Sequence, residues 1–128
     1  MSRLSGKKTQ DYLVESFKKE AADALRYLYL AKRAEIEGLP EAARLFRKFA
    51  QGGECNAHGC LDFLDSVENT EHNLETAVLS ETGAGVDQYP GMAQTARREG
   101  LPDIASWFET LAKLKKAHAE ELAKTLKK

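Results

Sequence analysis

The sequence predicts an all-α protein, a four-helix bundle assembled from two related helix hairpins. Three observations carry that prediction. The segment Glu37-Gly38-Leu39-Pro40-Glu41 returns as Glu99-Gly100-Leu101-Pro102-Asp103, an offset of 62 (99 − 37). Each copy stands between two segments whose apolar residues recur at alternating spacings of three and four, the period of a helix with one buried face. The 128 residues are 42% apolar with three prolines, and their runs of Ala, Leu, Glu and Lys suit helices throughout. Two related helix pairs close into a bundle with internal pseudo-symmetry, so that either half can be read against the other.

The first helix is expected from about Gln10 to Glu37 behind Thr9 as its cap. Its inward stripe is Leu13, Phe17, Glu20, Ala24, Tyr27 or Leu28, and Ala31. Gly38 ends that helix and Pro40 opens the second, each residue in the position its backbone favours. The second helix reaches about Ser66, with Leu45, Phe49, Gly53, Asn56, Cys60 and Phe63 facing in. The third begins near Glu71 behind Asn69 or Thr70 and runs to about Glu99. It presents Leu74, Val78, Glu81, Ala84, Gln88 and Met92 inward and should kink at Pro90. Gly100 and Pro102 repeat the punctuation, and the last helix carries Trp107 or Phe108, Leu111, Lys115, His118 and Leu122 inward. The chain is thus expected to form one domain, residues 1–128, from hairpins at about 9–66 and 71–126.

Parallel placement of the second and third helices requires a link that travels the length of the bundle. A helix of about 26 residues is about 39 Å long. The available link, about Val67 to Thr70, spans at most about 14 to 17 Å. Carrying the second hairpin into a neighbouring molecule removes the conflict, so a domain-swapped homodimer with two bundles is expected.

The net charge of −1 argues against nucleic acid as a partner, and the basic stretches Lys113–Lys116 and Lys124–Lys128 read as solvated helix faces. No run of 18 apolar residues is present to span a membrane, and the first residues lack the apolar core of a signal peptide. A cytoplasmic setting is expected, in which Cys55 and Cys60 stay reduced. Five residues apart on one helix, the two thiols point about 140° apart.

The inward polar residues are the informative ones. Bundles that hold a di-metal carboxylate centre place one Glu on each of two helices and a Glu-x-x-His on each of the other two. Carboxylates supply hard oxygen ligands and imidazole completes each metal. Glu20 and Glu81 occupy equivalent inward positions on the first and third helices. On the second and fourth, the equivalent pairs are Gly53-x-x-Asn56 and Lys115-x-x-His118. Both Glu of the Glu-x-x-His pairs are missing, and one of the two His.

Several segments make a family resemblance specific. In the first half these are Glu20, Arg26-Tyr27-Leu28-Tyr29-Leu30-Ala31, Glu37-Gly38-Leu39-Pro40, Leu45-Phe46-Arg47 and Leu61-Asp62-Phe63-Leu64. In the second they are Glu81-Thr82, Tyr89-Pro90-Gly91, Ala96-Arg97-Arg98-Glu99-Gly100, Trp107-Phe108-Glu109-Thr110-Leu111-Ala112 and His118-Ala119-Glu120. The chain resembles the rubrerythrins, in a short form without the rubredoxin-like domain. That resemblance implies a ferritin-like bundle and peroxide reduction at a di-iron centre fed by an electron-donor protein, which the sequence does not identify. Carried over residue by residue, Glu20, Glu81 and His118 match the family's ligands. Gly53 stands where relatives have Glu, Asn56 where they have His, Ala84 where they have a further Glu, and Lys115 where they have Glu. Gly83 and Gly85 replace bulkier residues. An ammonium has three donors and no acceptor while charged, so Lys115 argues against a family-type di-iron centre.

Three readings of the altered interior follow. In the first, Lys115 supplies the counter-charge for Glu20 and Glu81 and the bundle is scaffold. In the second, Gly52, Gly53, Gly83, Ala84 and Gly85 leave a cavity lined by Lys115, His118, Glu20, Glu81 and Asn56, with Cys60 near, that takes a small ligand; the competing account is that the glycines let helices pack closer or unwind the third helix. In the third, Glu20, Glu81 and His118 hold a single metal ion. An oxidoreductase of the family's peroxide-reducing type with a modified centre is the alternative. Glu54 and His58, spaced i, i+4, fall off the inward face, as does Cys55, and His72 has no evident role.

Overall fold

Both hairpins turn on the same backbone device. Gly38 and Gly100 adopt φ of 75° and 78°, the left-handed region that a side chain resists. In the first turn the amide of Leu39 donates to the carbonyl of Ala34 at 2.8 Å and that of Gly38 to Glu35 at 3.0 Å. In the second, Leu101 donates to Ala96 at 2.9 Å and Gly100 to Arg97 at 3.1 Å. These paired bonds satisfy the carbonyls that a helix end leaves open, and proline then begins the next helix, where its missing N–H costs nothing.

The computed structural model describes residues 3–64 and 68–128. It contains α1 (Lys8–Ile36), α2 (Pro40–Leu64), α3 (Thr70–Gly83), a π-helical segment (Ala84–Gln88), α4 (Tyr89–Arg98) and α5 (Pro102–Leu126). The chain divides into two compact units, Met1–Val67 and Glu68–Lys128, one per hairpin. With no strand among the described residues and two long-helix hairpins in repeat, the fold is all-α and of the ferritin-like four-helix-bundle class. Among the described residues no helix is long and apolar enough to cross a membrane.

Helix boundaries follow the sequence closely, with local corrections. Thr9 does not cap α1, which starts earlier, behind Lys7, with no side-chain cap. A turn closed by the Lys7 amide on the Leu4 carbonyl, with Gly6 at φ 76°, delivers the chain into the helix before Thr9 is reached. Asn69, the first of the two expected caps, does cap α3, its side chain accepting from the His72 amide at 2.8 Å. The expected end of the second helix at Ser66 and the start of the link at Val67 lie outside the described residues. The break expected at Pro90 falls just before it, in the π-helical segment, and Pro90 sits in the first turn of α4.

The seam of each hairpin is alanine. Ala24, Ala31 and Ala34 on α1 meet the level of Ala43, Ala50, Gly53 and Ala57 on α2, and all are buried. At an offset of 62 the second unit buries Ala93, Ala96, Ala105, Ala112 and Ala119. Small residues let the axes approach closely. Beside the seam, Tyr27 stacks on Phe46 with ring centroids 6.0 Å apart, and Tyr89 on Phe108 at 6.3 Å. Of the paired alternatives, therefore, Tyr27 rather than Leu28 and Phe108 rather than Trp107 are the packed residues. Several residues expected to face in are exposed on their own hairpin: Leu45, Phe49, Phe63, Met92 and Trp107 are 45–57% exposed, and Asn56 and Gln88 are exposed too.

Gly53 marks the tightest approach on the first unit. A Cβ there would lie 3.1 Å from the Glu20 carbonyl and 3.2 Å from the Ala24 Cβ, whereas at Gly52 it would meet nothing within 4 Å. Gly52→Ala should therefore raise stability by about 0.5–1 kcal/mol through helix propensity. Gly53→Ala should lower it by about 1–2 kcal/mol through overpacking that outweighs the same gain. Urea denaturation of the two variants should show midpoints moving in opposite directions.

Candidate functional site

The two halves are not related by one offset throughout. From Glu20 to Tyr27 is 7 residues, but from Glu81 to Tyr89 is 8. The extra residue is absorbed in the five-residue π-helical segment, whose last step is the Tyr89 amide donating to the Ala84 carbonyl, five residues back. A π-turn places one additional residue in a helix while keeping both ends in register. Glu20 and Glu81 consequently hold equivalent, half-buried positions, and both tyrosines keep their aromatic partners. Gly85 then corresponds to Ala24 at an offset of 61 (85 − 24). A Cβ on Gly85 would lie 3.0 Å from the Ala112 carbonyl and 2.9 Å from the Lys116 Cγ. Gly53 and Gly85 are thus contact points between helices, not the walls of a cavity as the pocket reading required. Gly83 meets nothing within 4 Å, and Ala84 opens the π-helical segment.

The first unit carries Glu20, Gly53, Asn56 and Cys60; the second carries Glu81, Ala84, Lys115 and His118. Within the second unit three side chains converge. The Lys115 ammonium donates to Glu81 Oε1 at 3.1 Å. His118 Nδ1 stands 3.4 Å from Glu81 Oε2, close enough to form an ion pair when the ring is protonated. Lys115 and Glu81 are only 31% and 21% exposed, so their charges are partly withdrawn from water. Oε2 is fully shielded from solvent and accepts no hydrogen bond. A hollow of about 330 Å³ lies beside it, lined by Glu81, His118, Glu121, Leu122 and Thr125. Thr125 and Glu121 were not expected in the site; helical spacing from His118 (i+3, i+7) is the signal that places them there.

Among the described residues no three His, Cys, Asp or Glu side chains gather as a metal-ligand group. Asn56 is exposed, Cys60 is half-buried and Cys55 is exposed, both thiols free. A larger apolar groove of about 550 Å³ on the first unit, bordered by Glu54 and His58, includes none of Glu20, Gly53, Asn56 and Cys60.

Long-helix hairpins with carboxylates at matching depth in both halves, and an imidazole three residues beyond a half-buried cation, fit the carboxylate-bundle class. The chain belongs to the rubrerythrin family, whose family model matches residues 11–72 and 72–128. It is 29% identical to a rubrerythrin of Porphyromonas gingivalis over 128 residues, covering 90% of this chain and 64% of that protein. It is 29% identical to a rubrerythrin of Clostridium perfringens over 144 residues (99% of this chain, 74% of the relative). A rubrerythrin of Nitratidesulfovibrio vulgaris is 24% identical over 131 residues, covering 92% and 69% respectively. The chain thus spans about two thirds of the length of these relatives.

Removing the ammonium should expose the electrostatics directly. Lys115→Met leaves Glu81 half-buried with no hydrogen-bond donor, a loss of about 1–2 kcal/mol once the remaining solvent access is allowed for. Chemical denaturation at neutral pH should show that loss as a lower midpoint.

Proposed function

We propose that this chain is a rubrerythrin-type bundle that has given up the di-iron centre implied by its family and keeps its interior neutral with an internal ion pair, serving as a helical scaffold. The observation that carries the reading is the Lys115 ammonium 3.1 Å from Glu81 Oε1. A cation in hydrogen-bond contact with the carboxylate repels a metal ion electrostatically, and its own nitrogen has no electron pair to offer while charged. The donor set does not fit two metal ions: Asn56 and Ala84 replace ligands of the family, and at position 53 a Cβ already crowds Glu20 and Ala24. The setting we assign is the cytoplasm, where the free thiols Cys55 and Cys60 stay reduced. Peroxide reduction by a modified metal centre is the reading that bound iron would restore.

Metal analysis tests the proposal. Protein purified from medium supplemented with iron, manganese and zinc should carry only substoichiometric amounts of each. Iron uptake should appear in a variant with Gly53→Glu, Asn56→His, Ala84→Glu and Lys115→Glu when Ala24→Gly is added to relieve position 53. A folded wild-type protein with stoichiometric iron and peroxide turnover would refute the scaffold reading.

One observation favours a second reading, a small-ligand site. Glu81 Oε2 is buried without a donor, and Glu81 lines the hollow beside His118. A small molecule bearing an amine or hydroxyl group would satisfy that oxygen. Native mass spectrometry of freshly purified protein should then show an adduct that Lys115→Met and His118→Ala both remove.

A further inference from the structure

The apolar groove of the first unit takes no part in the site around Glu81. It holds about 550 Å³ between α1 and α2. Its floor is alanine, Ala24, Ala50 and Ala57. At 100° per residue, Glu54 on its rim stands about 160° round α2 from Asn56, so the groove opens on a different flank of the seam. Leu25 and Leu28 form its α1 wall and are 69% and 44% exposed. Open leucines along a continuous apolar groove mark a contact surface.

The groove is its own complement. Gly53 stands against Glu20 and Ala24, so in this hairpin residues 50–51 of α2 lie level with residues 24–25 of α1. A two-fold axis across the groove at that level sets residues equidistant from it opposite each other. On α2 it sets Arg47 opposite Glu54 of a second copy. On α1 it sets Leu28 opposite Ala21 of the second copy, and Leu25 opposite Ala24. Charge meets opposite charge on one helix, and a bulky side chain meets a small one on the other. Within one chain, Arg47 and Glu54 are seven residues apart on α2, about 10 Å along its axis. Arg47 holds Glu35, and its guanidinium has further donors to give. Glu54 forms no ion pair among the described residues.

We propose that this groove is a two-fold contact between the first units of two copies of the chain, with Arg47 of each paired to Glu54 of the other and Leu28 of each seated on Ala21 of the other. The occupant is a second copy because the face complements itself in both charge and size about a single axis. A two-fold contact requires that property; a small molecule or an unrelated protein does not. First-unit residues alone form the contact, and no hairpin is exchanged in it. It is independent of whether the bundle holds a metal.

Disulfide trapping tests the axis. Gln51 lines the groove beside it, whereas Lys48 lies off the groove. In the intact chain with Cys55→Ser and Cys60→Ser, Gln51→Cys should give a disulfide-linked dimer under mild oxidation at micromolar concentration. Lys48→Cys in the same background is the reference for random collision, and linkage through Gln51→Cys should be about tenfold faster or more. Adding Leu28→Asp should return the rate to that reference. Adding Glu54→Arg sets two guanidinium groups against each other across the axis and should slow linkage about fivefold. Glu54 is exposed, so that variant keeps the test open if Leu28→Asp fails to fold. Linkage through Gln51→Cys no faster than through Lys48→Cys overturns the proposal. So does a rate that Glu54→Arg leaves unchanged, because association through any other face does not sense that charge. A wild-type chain that sediments as a 14.2 kDa monomer at micromolar concentration overturns it as well.

Discussion

Two helices that meet along alanine and glycine lie closer together than helices separated by leucine or phenylalanine, and this spacing governs what each hairpin can hold. At the level of Gly53 the backbone carbonyl of Glu20 and the Cβ of Ala24 already stand where a first side-chain atom would go. No carboxylate reaches inward from position 53 until that approach is relaxed. The same closeness moves bulky apolar side chains off the seam and onto its flanks. Among the described residues of either unit no large hydrophobic side chain is fully buried. A hairpin of about 60 residues with an alanine seam hides too little apolar surface to stand well alone.

Much of this was legible in the sequence because the signals are local. Glycine in the left-handed region followed by proline at a helix start is backbone chemistry, and it located both turns to within a residue or two. Asn69 as a cap is of the same kind. What resisted was the choice between neighbours such as Tyr27 and Leu28, or Trp107 and Phe108. A helix in a bundle has two adjacent contact lines, one toward its hairpin mate and one toward the other pair. A single apolar stripe merges them. The one-residue slip between Glu20–Tyr27 and Glu81–Tyr89 was present in the sequence, but the perfect offset of the turn motif concealed it. Comparing the two spacings would have predicted an inserted residue, and the small residues Gly83, Ala84 and Gly85 show where a helix yields most readily.

Glu81 is the position where structural and chemical demands separate. A half-buried carboxylate needs positive charge nearby, and Lys115 supplies it in hydrogen-bond contact. One ammonium is nevertheless a weaker organiser than a coordinated metal. It satisfies Oε1 and leaves Oε2 to His118, whose ring at 3.4 Å interacts strongly only when protonated. Charge balance is largely met, while the directional bonding that fixes a ligand cage is not.

The paired surface charges illuminate the difference. Glu35 pairs with Arg47 in the first unit, and Arg97 with Glu109 in the second, at equivalent positions (35 + 62 = 97, 47 + 62 = 109) with the signs exchanged. Exchanging both partners leaves a Coulomb attraction unchanged, and at exposed positions each pair contributes about 1 kcal/mol or less. Such a site tolerates either arrangement, provided the two residues change together. Position 115 obeys only half of that rule. A cation there suits the carboxylate at 81 as well as a metal would, so folding is served. Yet an ammonium, while charged, brings no electron pair with its charge. Neutrality is a requirement that any cation meets, whereas coordination depends on the identity of each donor. A fold that needs only a cation beside Glu81 therefore places a looser demand on position 115 than a metal site would.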